Sequence, residues 1–353
     1  MFLPNKLVRF NMKIIFSFLI FSALFQAQKT ETIDLSRSIR DRSNSIKTFT
    51  VIDQRPSKEI GSVMYHKDQV NITFENSADK DIQDWFYKEN KERGKDDFVV
   101  LLENIEITED KKEKSSIAKL ELKASTFIKK EDGYHFVYRK DTVATVSSRV
   151  TPYLAQSLSK KVTLILADLI KTSYQKKPWE YGLSESELKD YAAILKDKLD
   201  ILKTDSLKDG IYRSYYSFFT HNPEPGFVIQ TNKKGVVTTA VNGESKISVM
   251  NCYAFVYNGI PYKVIPVGYV EIFRDEMGLF IEVKKEELFP ENSSGVLIMG
   301  GGVAGLVGSI VGTIAMSAID ANAAKKRRAI AGSEVSLDPL TGHYILPEGF
   351  EKK

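Results

Sequence analysis

Few residues in this chain have the type and spacing to do chemistry. Gly300, Gly302 and Gly305 follow the apolar run Val296-Leu297-Ile298-Met299 and satisfy G-x-G-x-x-G. That turn lays a dinucleotide pyrophosphate on a helix N-terminus. It also needs a βαβ unit, a second strand after the helix, and an acid about 20 residues on at that strand's end. Asp320 stands at the right distance, but at a point where helix should still run, and residues 321–328 contain no apolar strand. Only about fifty residues follow Gly300, too few to build a parallel sheet. No cofactor is therefore expected. The four histidines, His66, His135, His221 and His343, lie outside H-E-x-x-H and away from cysteines or acids at ligand spacing, so no metal site is expected either. Ser116 with Lys119, and Ser157 with Lys160, match S-x-x-K without companion motifs. Cys252 is the single cysteine and sits in the apolar stretch 249–255. It reads as a buried inert thiol, and an intramolecular disulfide is excluded. Asp53 and Arg55 close a strand, where a turn-stabilising pair is expected before a ligand contact. No catalytic motif emerges and no catalytic residue is assigned. An enzyme would need polar groups to converge in a pocket, around His221 or Asp53.

The same glycine segment fits a membrane helix better. Residues 295–319 carry no charge, enough to cross about 30 Å of hydrocarbon. Gly301, Gly305, Gly308, Gly312 and Ala315 are spaced four, three, four and three apart, forming one seam of small residues through which helices pack closely. Lys325, Lys326, Arg327 and Arg328 follow as a stop-transfer flank, with Glu286, Glu287 and Glu291 on the other side. The competing reading is a Gly/Ala-rich helical hairpin buried in a soluble core or oligomer. The stretch resembles the glycine-zipper segments of bacterial envelope proteins.

An export signal is expected at the N-terminus. Lys6, Arg9 and Lys13 precede the apolar residues 14–21, no acid precedes Ala27, and Ala27 suits a cleavage site where Phe25 two residues earlier does not. A retained N-terminal anchor is the alternative. With 42% hydrophobic and 27% charged residues among 353, the chain is that of a folded globular protein long enough for two domains. Its formal charge of +4 is concentrated in the N-terminal segment and the 325–328 run. No global basic field remains to draw nucleic acid.

The elements divide into two regions. Residues 28–175 read as an α+β domain, with strands at 48–52, 98–102 and 118–126. A strand pair at 134–138 and 142–146 is split by Arg139-Lys140-Asp141. Helices are expected at 80–92 and 152–172. Residues 176–204 read as a helical linker, opened by a capping box from Ser184 to Glu187. Residues 205–290 read as a β-rich antiparallel domain, with a strong hairpin turn at Asn258-Gly259. A membrane helix at 295–319 and a basic flank and tail at 320–353 complete an α+β chain. Within the tail, 335–346 reads equally as a short hairpin, a binding tail or disorder.

Asp209-Gly210-Ile211-Tyr212, then Phe218, Asn222-Pro223, Phe255, Gly259 and Tyr262, resemble a pattern in exported Bacteroidetes envelope proteins. There D-G-x-Y precedes a short helix, an N-x-P turn and an aromatic strand with G-x-x-Y. Here asparagine and proline are adjacent, a departure from that turn. The resemblance covers under a third of the chain and implies an envelope location, without an activity. The expectation is a non-enzymatic envelope protein with a periplasmic body, anchored in the membrane, the inner one before the outer. Its partners would be the membrane and a second copy through the glycine seam, with no protein partner identified. The alternative is a soluble or outer-membrane-associated ligand-binding module.

Overall fold

The computed structural model describes residues 29–91, 94–113, 115–290, 332–347 and 350. The chain opens with β1 (Lys29–Thr32), β2 (Ile46–Asp53), β3 (Ser62–Tyr65), β4 (Asp68–Thr73) and helix α1 (Ala78–Glu89). Three long strands follow, β5 (Asp96–Lys112), β6 (Ser115–Lys130) and β7 (Gly133–Ser147), then helix α2 (Leu154–Ser173) and the short β8 (Gly182–Leu183). The central sheet has the order β2-β5-β6-β7-β8, antiparallel except for the β2–β5 pair. A small sheet, β1-β4-β3, stands beside it.

Both faces of the central sheet are covered. Leu158, Val162, Ile165, Leu166 and Leu169 recur at helical spacing along α2 and bury that helix against Val100, Leu102, Leu120 and Leu122. The intervening residues, Val99 and Leu101 with Phe127 and Phe136, point the other way, into a core built by the second half of the chain. Burial on both faces explains why 98–102 is a continuous apolar run rather than an alternating one.

The second half begins with three short helical pieces: a 3-10 turn at Glu185–Asp190, α3 (Tyr191–Asp197) and a second 3-10 turn at Asp200–Leu202. The Ser184–Glu187 capping box is present, but the one helix expected over 184–202 is broken. Then come β9 (Gly210–Tyr212) and α4 (Tyr215–Phe219). The strands β10 (Val228–Thr231), β11 (Val237–Asn242) and β12 (Ser245–Ser248) form their own small sheet. A meander follows through β13 (Ala254–Tyr257), β14 (Ile260–Ile265), β15 (Gly268–Asp275) and β16 (Gly278–Val283), ending at α5 (Lys285–Leu288). The sheet is completed by β17 (Ser333–Leu337) and β18 (Tyr344–Ile345), giving the order β9-β13-β14-β15-β16-β17-β18. At the β13–β14 turn Asn258 and Gly259 both have positive φ, 53° and 75°, as a two-residue primed hairpin requires. The Asp209 carboxylate accepts from both of their amides, at 2.9 and 2.8 Å, so the D-G-x-Y segment clasps the hairpin.

This architecture corrects the expected fold class. The chain is not an N-terminal α+β domain followed by a β-rich domain and one C-terminal membrane helix. The described residues are 43% strand and 22% helical, a β-rich antiparallel body. The excess of strand has a local cause. Arg139-Lys140-Asp141, expected as a break, lies inside one continuous strand, β7. Lys140 is buried against α2 and ion-paired with Asp168, while Arg139 pairs with Asp141 on the opposite face at 2.6 Å. Charges that read as a turn are neutralised within the sheet.

The membrane helix is corrected on a second ground. No described helix is long and apolar enough to cross a membrane. Residues 295–319, like the export signal and the 325–328 run, lie outside the described residues. Their flanks, however, are described. Val283 of β16 and Ser333 of β17 are direct partners in one antiparallel pair. A single crossing between them would put adjacent strands of one sheet on opposite sides of a bilayer, so a one-pass anchor is incompatible with the sheet. Residues 335–346, open between hairpin and tail, form the β17–β18 hairpin. Its turn packs tightly: Gly342 has φ +73°, and a Cβ there would sit 2.4 Å from the Cβ of Tyr215.

Candidate functional site

His221 and Asp53, around which an enzyme would need a pocket, each line a cavity. The more polar cleft is at His221. Its walls come from the segment after α2, from α3 and from α4. Trp179 is fixed first: its amide donates to Phe136 O at 2.7 Å, and its ring meets the Phe136 ring edge-on, centroids 5.1 Å apart. Tyr216 leans on Trp179 at 5.1 Å. From α3 and the turn after it come Leu195, Lys198 and Asp200. The Lys198 ammonium rests over the Tyr181 ring at 5.0 Å. The enclosed volume is about 580 Å³.

Helix α4 sets the position of His221. Ser214 caps its start, accepting from the Ser217 amide at 3.1 Å, and Phe218 and Phe219 anchor it in the core. At its end the His221 amide donates to Phe218 O at 3.0 Å and the Asn222 amide to Ser217 O at 2.8 Å. These two bonds form a Schellman motif, which places His221 at the left-handed position that usually belongs to glycine. Its φ is 55°. The backbone amide of Lys208 donates to His221 Nε2 at 2.7 Å. An accepting Nε2 leaves the proton on Nδ1, so the imidazole is the neutral Nδ1–H tautomer. Burial, followed by the nearby Lys208 charge, holds its pKa below the usual histidine value. The cleft is thus lined by the His221 imidazole, the lysines Lys198 and Lys208, the carboxylates Glu180 and Asp200, and the rings of Tyr181 and Tyr216.

The second cavity lies at Asp53. There Arg55 grips the Asp53 carboxylate with two bonds, Nε to Oδ1 at 2.9 Å and Nη2 to Oδ2 at 2.8 Å, and Lys58 joins at 3.1 Å. Burial works against the Asp53 charge, but the bonds from Arg55 and Lys58 outweigh it and lower the pKa. The pair expected at this strand end is present.

The other candidates are structural. His135 is buried, with Nδ1 against Trp179 O at 2.8 Å and Nε2 against Asp132 at 2.9 Å. Cys252 is buried, and burial pushes its thiol pKa up, away from nucleophilic use. Among the described residues no group of three or more His, Cys, Asp and Glu side chains could hold a metal. Gly301, Gly305, Gly308, Gly312, Ala315, Lys325, Lys326, Arg327 and Arg328 all fall outside the described residues. Sequence reasoning missed the αL setting of His221, because a histidine at a helix C′ position leaves no glycine to mark it.

A third cluster concerns stability. Lys263 on β14 is buried, donates to Tyr253 O at 3.1 Å and Val264 O at 2.8 Å, and lies 4.0 Å from the centre of the Tyr253 ring. It forms no ion pair with a carboxylate among the described residues. Burial lowers its pKa from 10.5 to about 8. Between these values the unfolded chain binds more protons than the folded one, so stability rises with pH, at up to about 1.4 kcal/mol per pH unit. Above pH 10 the trend reverses, because burial keeps Tyr253 and Tyr344 neutral in the fold while unfolded tyrosines ionise. Urea unfolding from pH 7 to 11 is expected to show a maximum near pH 10, and Lys263→Met should remove the rise. A parent curve that is flat from pH 8 to 10 would show that Lys263 stays charged in the fold.

No protein-family model, curated protein or solved structure matches this chain.

Proposed function

We propose that this chain is an exported binding module of the cell envelope, and that the His221 cleft is its ligand site. The observation that carries the reading is His221 itself. A non-glycine residue held at positive φ costs backbone free energy, and such strain concentrates where a side chain is needed in one orientation. Here the held residue lines a cleft together with Tyr181, Tyr216, Lys198 and Lys208. The donors and aromatic faces, with the Glu180 and Asp200 carboxylates beside them, fit a small polar ligand that carries hydrogen-bond acceptors and has one flat face. Among the described residues the imidazole makes no hydrogen bond to a serine, cysteine or acid, the arrangement that nucleophilic catalysis needs, which favours recognition over reaction. The basic and apolar residues before Ala27 support export.

The test is a ligand-observed NMR fragment screen on the full chain, repeated with His221→Asn and His221→Gly. Both variants tolerate the left-handed backbone and remove the imidazole. Acceptor-bearing aromatic fragments are expected to bind the parent and to lose at least about tenfold in affinity in both variants, the size of one lost donor. Fragments that bind all three chains equally would remove His221 from the site, and an empty screen would count against the cleft.

A further inference from the structure

The cavity at Asp53 has a pattern of engaged and unengaged charge that a structural ion pair does not require. Its floor is buried: Arg55, Phe74 and Ala78, the first residue of α1. Arg55 spends one edge of its guanidinium, Nε and Nη2, on Asp53. The remaining nitrogen, Nη1, is buried and has no hydrogen-bond partner among the described residues. The guanidinium is planar, so Nη1 projects from the edge away from Asp53. The group's central carbon lies 5.8 Å from the centre of the Phe74 ring, which lines the same cavity. A buried charged donor without an acceptor is rare in folded proteins and calls for an explanation, of which a bound partner is one.

A second, independent feature converges on the same floor. The 12-residue helix α1 begins there, and its N-cap residue, Ser77, makes no side-chain cap bond. Its first amides have no partner within the helix and carry the positive end of its dipole. Asp81 reaches back instead to Asn76, accepting from its amide at 3.0 Å, and leaves the helix mouth uncapped. The floor thus sets the donors, Arg55 Nη1 and the helix amides, beside an Asp53 carboxylate already engaged by Arg55 and Lys58.

The mouth offers the opposite. Glu59 and Asp79 line it, and neither carboxylate is ion-paired among the described residues. The neighbouring Lys58 is engaged by Asp53, through its carboxylate and its carbonyl. A plain anion would meet donors below and two carboxylates above, which disfavours it. A ligand carrying both charges satisfies each end.

We propose that this cavity binds a small zwitterion of the α-amino acid type. The carboxylate sits on Arg55 Nη1 and the first amides of α1, the ammonium faces Glu59 and Asp79, and the side chain rests near Phe74. The cavity, about 590 Å³, accommodates any free amino acid. The site is separate from the His221 cleft, so either reading can fail without the other.

The experiment uses the full chain and three probe sets: free L-α-amino acids, their N-acetylated forms and their C-terminal amides. Binding is read by calorimetry and by the amide resonances of Ala78 and Asp79. Free amino acids with apolar side chains are expected to bind and to shift both resonances. Either blocked form should bind at least about tenfold more weakly, the loss of one charged contact. Arg55→Lys should abolish the interaction. Because that variant also loosens the Asp53 pair, the deciding variant is the double substitution Glu59→Gln, Asp79→Asn, at two side chains outside the core. It should weaken the free amino acids and strengthen their N-acetylated forms, reversing the preference. Equal binding of free and acetylated forms by the parent would overturn the zwitterion assignment. An absence of shifts at Ala78 and Asp79 with every free amino acid would overturn the site.

Discussion

Truncation after Glu291 is expected to yield a chain that does not fold cooperatively. The cut removes β17 and the turn after it. Val335, Leu337 and Leu340 are 0%, 3% and 0% exposed, and Phe350 is 3% exposed, all in the core shared by the two halves. Fully burying one such side chain stabilises a fold by about 1.5–3 kcal/mol. Four of them approach the 5–15 kcal/mol that separates a typical domain from its unfolded state. The cut also strips β16 of its partner, leaving Ile281 and Val283 beside an open strand edge, a surface prone to pair with other chains. Replacing residues 292–331 by a short Gly/Ser linker should do neither. Strands β16 and β17 remain joined, and shortening the connection between two strands changes closure entropy by only about a kcal/mol. Urea unfolding followed by far-UV circular dichroism separates the two: a single transition near the parent midpoint for the linker chain, and none for the truncation. A truncated chain with the parent midpoint would show that β17 contributes nothing to the core. The pair of variants also changes how anchoring must be tested. A truncation that leaves the membrane pellet reports loss of the fold as much as loss of an anchor, and only the linker chain isolates the glycine segment.

Local chemistry was legible where a few adjacent residues decide the backbone. Asn258-Gly259 specifies its hairpin because both positions need positive φ, and Ser184 with Glu187 specifies a helix start through two reciprocal bonds. The apolar spacing of 154–169 specifies α2 because the helix has one face to bury. The failures share a cause as well: in each, the deciding partner is distant in sequence. Lys140 reads as a turn residue until Asp168 is placed against it from α2. The apolar 98–102 run shows that a strand is buried on both faces, but nothing in it names the second half of the chain as the cover. The glycine segment reads as a single membrane crossing because hydropathy is a local property. The pairing of Val283 with Ser333, fifty positions apart, is not. At the candidate sites the sequence singled out His221 and Asp53 by residue type alone. The αL strain, the free Nδ1–H and the unpartnered Arg55 Nη1 all depend on three-dimensional neighbours.

The same distinction sets the second large effect, at the charged triplet of β7. Asp168→Ala is expected to destabilise the fold by about 3–5 kcal/mol, because it leaves the Lys140 ammonium buried without its counter-charge. The Lys140 side chain is 4% exposed and cannot reach water without distorting the strand, whereas that of Asp168 is 27% exposed and can be hydrated. The two single substitutions are therefore unequal. Lys140→Met replaces a buried cation by an apolar chain of similar length and leaves a carboxylate that is partly exposed, so it should cost less. In the double variant Lys140→Met, Asp168→Leu no buried charge remains, and stability should return to within about 1–2 kcal/mol of the parent, or exceed it. The four unfolding free energies form a closed cycle, and the coupling should be as large as the Asp168→Ala cost itself. Additive effects would mean that Lys140 does not depend on Asp168, and that the strand tolerates its charge by another route. A strong coupling would show why Arg139-Lys140-Asp141 stays extended: a lysine flanked by charged residues holds a central sheet position only because a helix elsewhere in the chain supplies the opposite charge.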